Sequence, residues 1–380
     1  LTGRIARVIG EYDRQGVHRA GSEVDLTSAR WLAAEVRRCG LKPSLESFAI
    51  NRLDPVSCYL LIGDKRIEGL PVFDGGFTDA AGIRGRIGQL GGATELGLIE
   101  APPNAEYGPT YLKTRRETSH RAIVIVTRGA RPGLTPINAP RFTQPFGPPL
   151  LQVSSAEGEW LKEQARKNAE ATLVAQVKRT QTQAFNVTAR IAGVAPKLAP
   201  LVVMTPRSGW FHCASERGGG LVCWLEAMRA LAAVKPPRDV WFLASSGHEL
   251  GHIGLESFIA RHPELVKAAR AWLHFGANIG AAQEPGHRLQ ASSDDLERIA
   301  VAAMRAEKTQ ADEVTPRGAT PFGEAGQIHR GGGQYLSLLG RNALFHHPND
   351  RWPEAVDVAA VARFARAFVK VALRLASGTP

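Results

Sequence analysis

From Asn186 onward the chain alternates short apolar runs with amphipathic stretches of helical period, and few architectures accommodate that alternation. Asn186 to Ile191 alternates as a strand, and Pro200 to Met204 is a short apolar run. Gly220 to Val234 reads as an amphipathic helix and Asp239 to Ala244 as a strongly apolar strand. A further helix is expected from near Glu249, a strand over Ala271 to Phe275, and a long closing helix over Ala359 to Ala376. Strands separated by helices at this spacing pack as a mostly parallel sheet between helical layers. The expected fold class is therefore α/β, a three-layer sandwich. No internal repeat at a fixed period accompanies it.

The first half has a different texture. Ser28 to Arg38 carries apolar positions at helical spacing and stops at Cys39-Gly40, and Lys42 to Ile50 is β-like. Residues 51–182 are rich in Gly, Pro and short β-type runs, with the clearest buried strand between Arg121 and Gly129. Pro132 to Pro149 reads as loop, and a helix is expected at about Ser155 to Ala169. These patterns divide the chain into an α/β domain, 1–50 and 183–380, and a small β-rich insert over 51–182.

Of the 380 residues, 44% are hydrophobic and 22% charged, enough for a sizeable core. The net charge of +11 raises the prior for an anionic partner. Lys and Arg are nonetheless scattered, and no aromatic residues interleave with them as a base-stacking surface requires. Nucleic acid is not an expected partner. No run reaches the ~18–20 apolar residues of a membrane span, so no membrane partner is expected either. The four cysteines form no CxxC pair and read as reduced and buried, which leans towards a cytoplasmic compartment. Self-association into a homo-oligomer is left open.

Parallel sheets bind ligands at the carboxyl ends of their strands, which directs attention to the segments after residues 204, 244, 275 and 344. The sharpest local motif lies in one of them. His248-Glu249-x-x-His252 fits the HExxH pattern, in which two histidines one helical turn apart bind zinc and the Glu is general base. That geometry needs His248 inside a helix. Here a strand runs up to it through Val240 to Ala244, and Ser245 to Gly247 form a turn.

A wider pattern covers nearly the whole chain. A strand ends in Ser246-Gly-His-Glu-Leu-Gly251, Phe345-His-His-Pro-Asn-Asp-Arg351 precedes the last helix, and Ser215-Glu-Arg-Gly-Gly-Gly220 opens a long one. Gly21-Ser22 precedes an early helix. In order and spacing these segments resemble the aminopeptidase family with a cocatalytic zinc pair, which also contains glutamate carboxypeptidases, glutaminyl cyclases and the transferrin receptor. The matching family patterns are Gly-Glu-Glu-Leu-Gly, Tyr-His-Thr-Pro-x-Asp-Thr and Asn-Asp-x-x-Ser-Gly. The resemblance implies an aminopeptidase-like fold, with 51–182 as a protease-associated insert.

The departures from the family pattern shape the expected chemistry. The family's His-x-Asp falls on Pro206-Arg207-Ser208, and its later Asp falls on Ala277, beside Asn278. The bridging Asp corresponds to Glu216, the general-base Glu to His248, the second Glu to Glu249, and the last His to His346, with His347 adjacent. Two zinc ions need about six or seven protein ligand atoms, so losing two ligands argues against a pair. The resemblance implies one zinc ion or none: Glu216, Glu249 and His346 would be its ligands, with His248 as the base. Glu216, His248 and Glu249 are then the catalytic candidates. Arg207, His274, Asn278 and His347 are the substrate-binding candidates, with Arg207 filling the vacated ligand space with positive charge.

Each residue also has an ordinary reading. Glu249 suits a helix start, His248 a turn cap, Glu216 and Arg217 a solvated turn, and the paired histidines a loop. Three functions follow. The first is a hydrolase with an altered site, acting on an amide or related bond of a small or peptide-like substrate. The second is a catalytically inactive homologue acting as a binding protein. The third is a zincin-type protease using His248 and His252. Loss of several carboxylates makes a free peptide amine a less natural substrate.

Overall fold

The computed structural model describes residues 1–378. The chain opens with α1 (Thr2–Arg14) and α2 (Glu23–Arg38). Ser22 starts α2, its hydroxyl oxygen accepting the Asp25 N–H at 3.1 Å. The strand β1 (Ser44–Ile62) is followed by β2 (Lys65–Pro71), β3 (Ile83–Gln89), β4 (Leu96–Ala101), α3 (Pro109–Glu117), β5 (Ala122–Thr127), β6 (Leu150–Ser154) and α4 (Gly158–Arg166). The strand β7 (Glu170–Ile191) comes next. β1 and β7 pair antiparallel from Ser44 opposite Thr188 to Ile62 opposite Ala171. Lys42 to Ile50 and Asn186 to Ile191, expected as two short strands, are thus the ends of two long ones.

The remaining elements are β8 (Leu201–Pro206), α5 (Ala214–Val234), β9 (Val240–Ser245), α6 (Ile253–Arg261), α7 (Leu265–Ala268), β10 (Ala271–Phe275), β11 (Gly286–Ala291), α8 (Asp294–Ala306), β12 (Glu313–Val314), α9 (Ala325–Arg330), β13 (Tyr335–Arg341) and α10 (Val358–Ala376). All strands join one 13-stranded sheet in the order β1-β2-β6-β5-β4-β3-β7-β9-β8-β10-β13-β11-β12. Its centre, β9-β8-β10-β13, is parallel, with β7 and β11 antiparallel on either side. This is the α/β sandwich expected from the alternation. One local expectation needs correction. No regular helix begins at Glu249; His248–Leu250 is a single 3₁₀ turn, and α6 starts at Ile253. The left-handed glycines Gly247 and Gly251 bracket that turn and interrupt the helical path.

Alternation along the central strands builds the two cores. On β8, Leu201 and Val203 pack with residues of α1, α2, α5 and α10, whereas Val202 and Met204 pack with α6, α7 and α9. Each fully buried Leu, Val or Phe contributes about 1.5–3 kcal/mol. The three glycines at 218–220 cost helix propensity, and close packing explains them. A Cβ on Gly219 would lie 1.8 Å from the Ile279 carbonyl oxygen, so only glycine lets the first turn of α5 press against the loop after β10. That contact brings Glu216 and Arg217 to the carboxyl edge of the sheet. All four cysteines are free and buried. Among the described residues, no helix is long and apolar enough to cross a membrane.

Candidate functional site

The site forms where β8, β9 and β10 end, facing the loop before α10 and the segments around residues 102–138. At the end of β8 the backbone turns after Pro206, and the Arg207 side chain goes away from the cleft. It pairs with Asp25 at 2.9 Å and donates to the carbonyls of Asp25 and Phe185, with both charged side chains fully buried. Arg207 therefore does not fill the vacated ligand space, as the sequence had suggested. Its carbonyl accepts from the Tyr12 hydroxyl at 2.6 Å, so the residue ties the sheet edge to α1 and α2.

The next residue controls Glu249. Ser208 Oγ accepts from the Gly247 N–H at 2.7 Å and donates to Glu249 Oε2 at 2.6 Å. The other oxygen, Oε1, accepts from the Ala20 N–H at 3.1 Å. Burial pushes the Glu249 carboxyl upward, and these donors oppose that shift. Both oxygens are engaged in holding loops together.

At the start of α5, Asp350 accepts from the N–H and hydroxyl of Ser215 and from the Glu216 N–H, at 2.7–3.0 Å. It caps a helix whose Cys213 N-cap position has a left-handed backbone. Glu216 and Arg217 follow, each 1% exposed, with Arg217 Nη2 2.8 Å from Glu216 Oε1. Arg217 Nε donates to the Ser208 carbonyl at 2.6 Å, while Nη1 and Nη2 have no aligned hydrogen-bond partner. The solvated-turn reading of this pair is overturned. Burial depresses His248, His274 and His346, and the guanidinium charge adds to that effect on all three.

His346 stands opposite. Its Nδ1 donates to the Pro136 carbonyl at 2.6 Å, leaving Nε2 3.6 Å from Glu216 Oε1. His347, also buried, donates from Nε2 to the Pro132 carbonyl at 3.0 Å. The two histidines fasten the loop before α10 to residues 132–136. His248 Nδ1 lies 3.6 Å from Glu324 Oε1, and Glu324 also accepts from the Ser245 hydroxyl at 2.5 Å. The His248 and His252 rings lie against each other, tilted by 33°, with centroids 4.7 Å apart. His252 sits at φ 64° ahead of α6, so the HExxH pair does not share a face of one helix.

Between the segments around residues 102–138 and the loops after β9, β10 and β13 lies a cavity of about 440 Å³. Its lining includes Tyr107 and Asn138, together with His248, His274, Asn278, Phe322 and Phe345. Of the residues chosen from sequence, His248, His274 and Asn278 reach this cavity. Glu216 and His346 lie beside Arg217 and are not among its lining residues, and Glu249, Arg207 and His347 are occupied elsewhere. Sequence reasoning missed Arg217, Glu324, Asn138 and the cap Asp350. For Asp350 the signal was present, since it lies inside the Phe345–Arg351 motif. For Arg217 it was only adjacency to Glu216.

Burial keeps several histidines neutral, His18 and His274 among them. His18, stacked on Tyr12 at 3.8 Å, is lowered from 6.5 to about 3, and His274 from 6.5 to about 4. Their folded values lie below the unfolded one, so the unfolded chain takes up protons first and stability falls as pH drops from 6.5 towards 4. Asp350, raised to about 7, and Glu106, raised to about 8, act in the opposite sense as pH rises. His18→Gln is therefore expected to lessen the acid-side loss of stability by about 1.4 kcal/mol per pH unit between about pH 6 and 4. Urea unfolding of both proteins at several pH values measures that difference; parallel profiles would contradict it.

A scan against protein-family models finds no match, and a search of curated proteins finds no significant one. Solved structures do match. A zinc aminopeptidase from Bacillus subtilis superposes with a TM-score of 0.78 at 16% identity, over 99% of this chain and 95% of that one. An aminopeptidase from Aneurinibacillus sp. strain AM-1 gives 0.75 at 15%, over 99% and 94%. A peptidase M28 precursor from Shewanella amazonensis SB2B gives 0.76 at 16%, over 100% and 96%. At such identities the likeness is one of fold. Zinc belongs to the description of one of these neighbours, and the residues here do not fit it. Among the described residues, no group of three or more His, Cys, Asp and Glu side chains is placed to hold a metal ion. Glu249 is turned to Ser208, and a guanidinium lies against Glu216.

Proposed function

We propose that this chain is a metal-independent binding protein on an aminopeptidase-like scaffold, and that its cleft holds a small peptide-like molecule without cleaving it by zinc chemistry. One observation carries the reading: Arg217 sets its guanidinium 2.8 Å from Glu216, with both side chains 1% exposed. A covalently attached cation supplies the charge neutralisation that a metal ion would otherwise provide, and its charge opposes a second cation there. The neutral His248, the orphaned Asn278 Oδ1 and the apolar walls of the cavity suit recognition of a small molecule.

A second reading has its own support. Glu324 lies behind His248 Nδ1 at 3.6 Å, the arrangement in which a carboxylate orients an imidazole base towards water. Against it, burial and Arg217 hold His248 well below its ordinary value of 6.5, which makes it a weak base.

Metal content and thermal stability decide between these readings and a zinc enzyme. Protein dialysed against zinc is expected to retain far less than one ion per chain, to melt at the same temperature with and without chelator, and to leave aminoacyl anilides uncleaved. About one zinc per chain, with melting lowered by chelator, would overturn the proposal. Metal-free cleavage that is lost in His248→Gln would favour the second reading.

A further inference from the structure

The ligand class follows from the polarity of the cavity lining, on the reading that the cleft is a metal-independent binding site. The polar floor comes first. His274 is fully buried, lines the cavity, and has no partner at Nε2. The bonds behind it locate its proton. Gln290 Oε1 accepts from the Phe322 N–H at 2.8 Å, which orients the amide so that Nε2 donates to Ser337 Oγ at 3.1 Å. The Ser337 hydroxyl is left to donate to His274 Nδ1 at 2.8 Å, so the histidine carries its proton on Nε2. Asn278 supplies the opposite group. Its Nδ2 donates to the Gly340 carbonyl at 3.2 Å, and its Oδ1, also buried, has no partner. A neutral donor and a neutral acceptor, both desolvated and both unsatisfied, match the C=O and N–H of an amide.

Charge comes second. Arg128, Arg288 and Arg341 line the cavity, and Glu313 is the one carboxylate among the lining residues. Glu313 is already paired with Arg288 and lies 3.9 Å from Arg341. The Arg341 side chain is 72% exposed and only loosely held, so its guanidinium is available to an anion. A ligand ammonium group meets no free carboxylate on this lining, whereas a ligand carboxylate meets surplus guanidinium.

The walls come third. Tyr107 and Phe322 pack edge to face at 5.2 Å, and Phe345 adds a further apolar surface. At about 440 Å³ the cavity suits one amino-acid derivative or a short peptide.

We infer that the cleft binds N-blocked amino acids that carry a free carboxylate. The amide sits on His274 and Asn278, the apolar side chain lies against Tyr107 and Phe322, and the carboxylate reaches Arg341. The recognition is opposite in sign to that of a site for free peptide amines.

Calorimetric titration in chelator-treated buffer tests this with three probes: N-acetylphenylalanine, N-acetylphenylalaninamide and phenylalaninamide. The N-acetyl acid is expected to bind about tenfold more tightly than its neutral amide, and the cationic phenylalaninamide least of all. Arg341→Met lies on the surface and leaves the fold intact. It is expected to weaken the acid about fivefold without affecting the neutral amide. His274→Phe is expected to weaken both N-acetyl ligands about tenfold. Tightest binding by phenylalaninamide, equal effects of Arg341→Met on acid and amide, or no binding by any probe would overturn the inference. Metal independence is settled separately by the zinc measurement, so the two can fail independently.

Discussion

Arg217→Met is expected to destabilise the chain by roughly 3–5 kcal/mol, and adding Glu216→Gln is expected to restore most of that loss. The size follows from burial. Both side chains are 1% exposed, and removing the guanidinium leaves a carboxylate without its counter-charge in a medium that solvates it poorly. His346 cannot replace the lost charge cheaply, because burial favours its neutral form. The double substitution removes both charges together, and replacing a buried pair by neutral groups of similar size is often nearly free. Urea unfolding of the single and double variants forms a double-mutant cycle that reads the coupling directly. A single variant within about 1 kcal/mol of the parent would show that solvent reaches Glu216, and the guanidinium would then lose its role as the built-in cation of the cleft.

Arg207→Met is expected to cost a similar amount, roughly 3–5 kcal/mol, for the same reason and with a different functional signature. Its partner Asp25 is fully buried and also accepts from the Gly21 N–H and the Ser246 hydroxyl, all at about 3.0 Å. The arginine therefore ties α2, the end of β7 and the turn after β9 into one network. Because the side chain points away from the cavity, ligand affinity is expected to stay within about twofold of the parent once the variant is folded. Loss of affinity without loss of stability would place Arg207 in the cleft instead.

The pair shows how two neighbouring arginines of equal charge come to different tasks. Arg207 follows a strand that ends against the helical layer, and its side chain follows the strand's alternation into that layer. Arg217 lies in the first turn of a helix pressed inward by Gly219, so its side chain reaches the space between Glu216 and Ser208. The sequence suggests the cleft for the first arginine and offers a solvated turn as the ordinary alternative for the second. The partners that hold each arginine come from distant parts of the chain: Asp25 and Phe185 for Arg207, and the approach of α5 to the loop after β10 for Arg217.

The architecture was far more legible. Apolar runs of strand length and amphipathic stretches of helix length report burial on two faces or one, and burial follows from local residue pattern. The same pattern sets His248 at a strand end and interrupts the HExxH helix. The ends of β1 and β7 were visible, but their length was not. The strands gain their extra turns of ladder from each other, across more than a hundred residues of intervening chain, and no local window carries that pairing.

By itself, then, the amino-acid order determined the layered α/β fold and the edge of the sheet where the site lies. It also determined that Pro206 and Ala277, neither of which can ligate a metal through its side chain, stand at the end of β8 and just after β10. Only the tertiary structure decided the rest: that Glu249 is held by Ser208 and Ala20, that Asp350 caps α5, and that Arg217 faces Glu216 across a buried gap. The division has one physical cause. Strand and helix formation answer to the periodicity of neighbouring residues, whereas the direction and charge state of a buried polar side chain answer to partners that folding brings from distant parts of the chain.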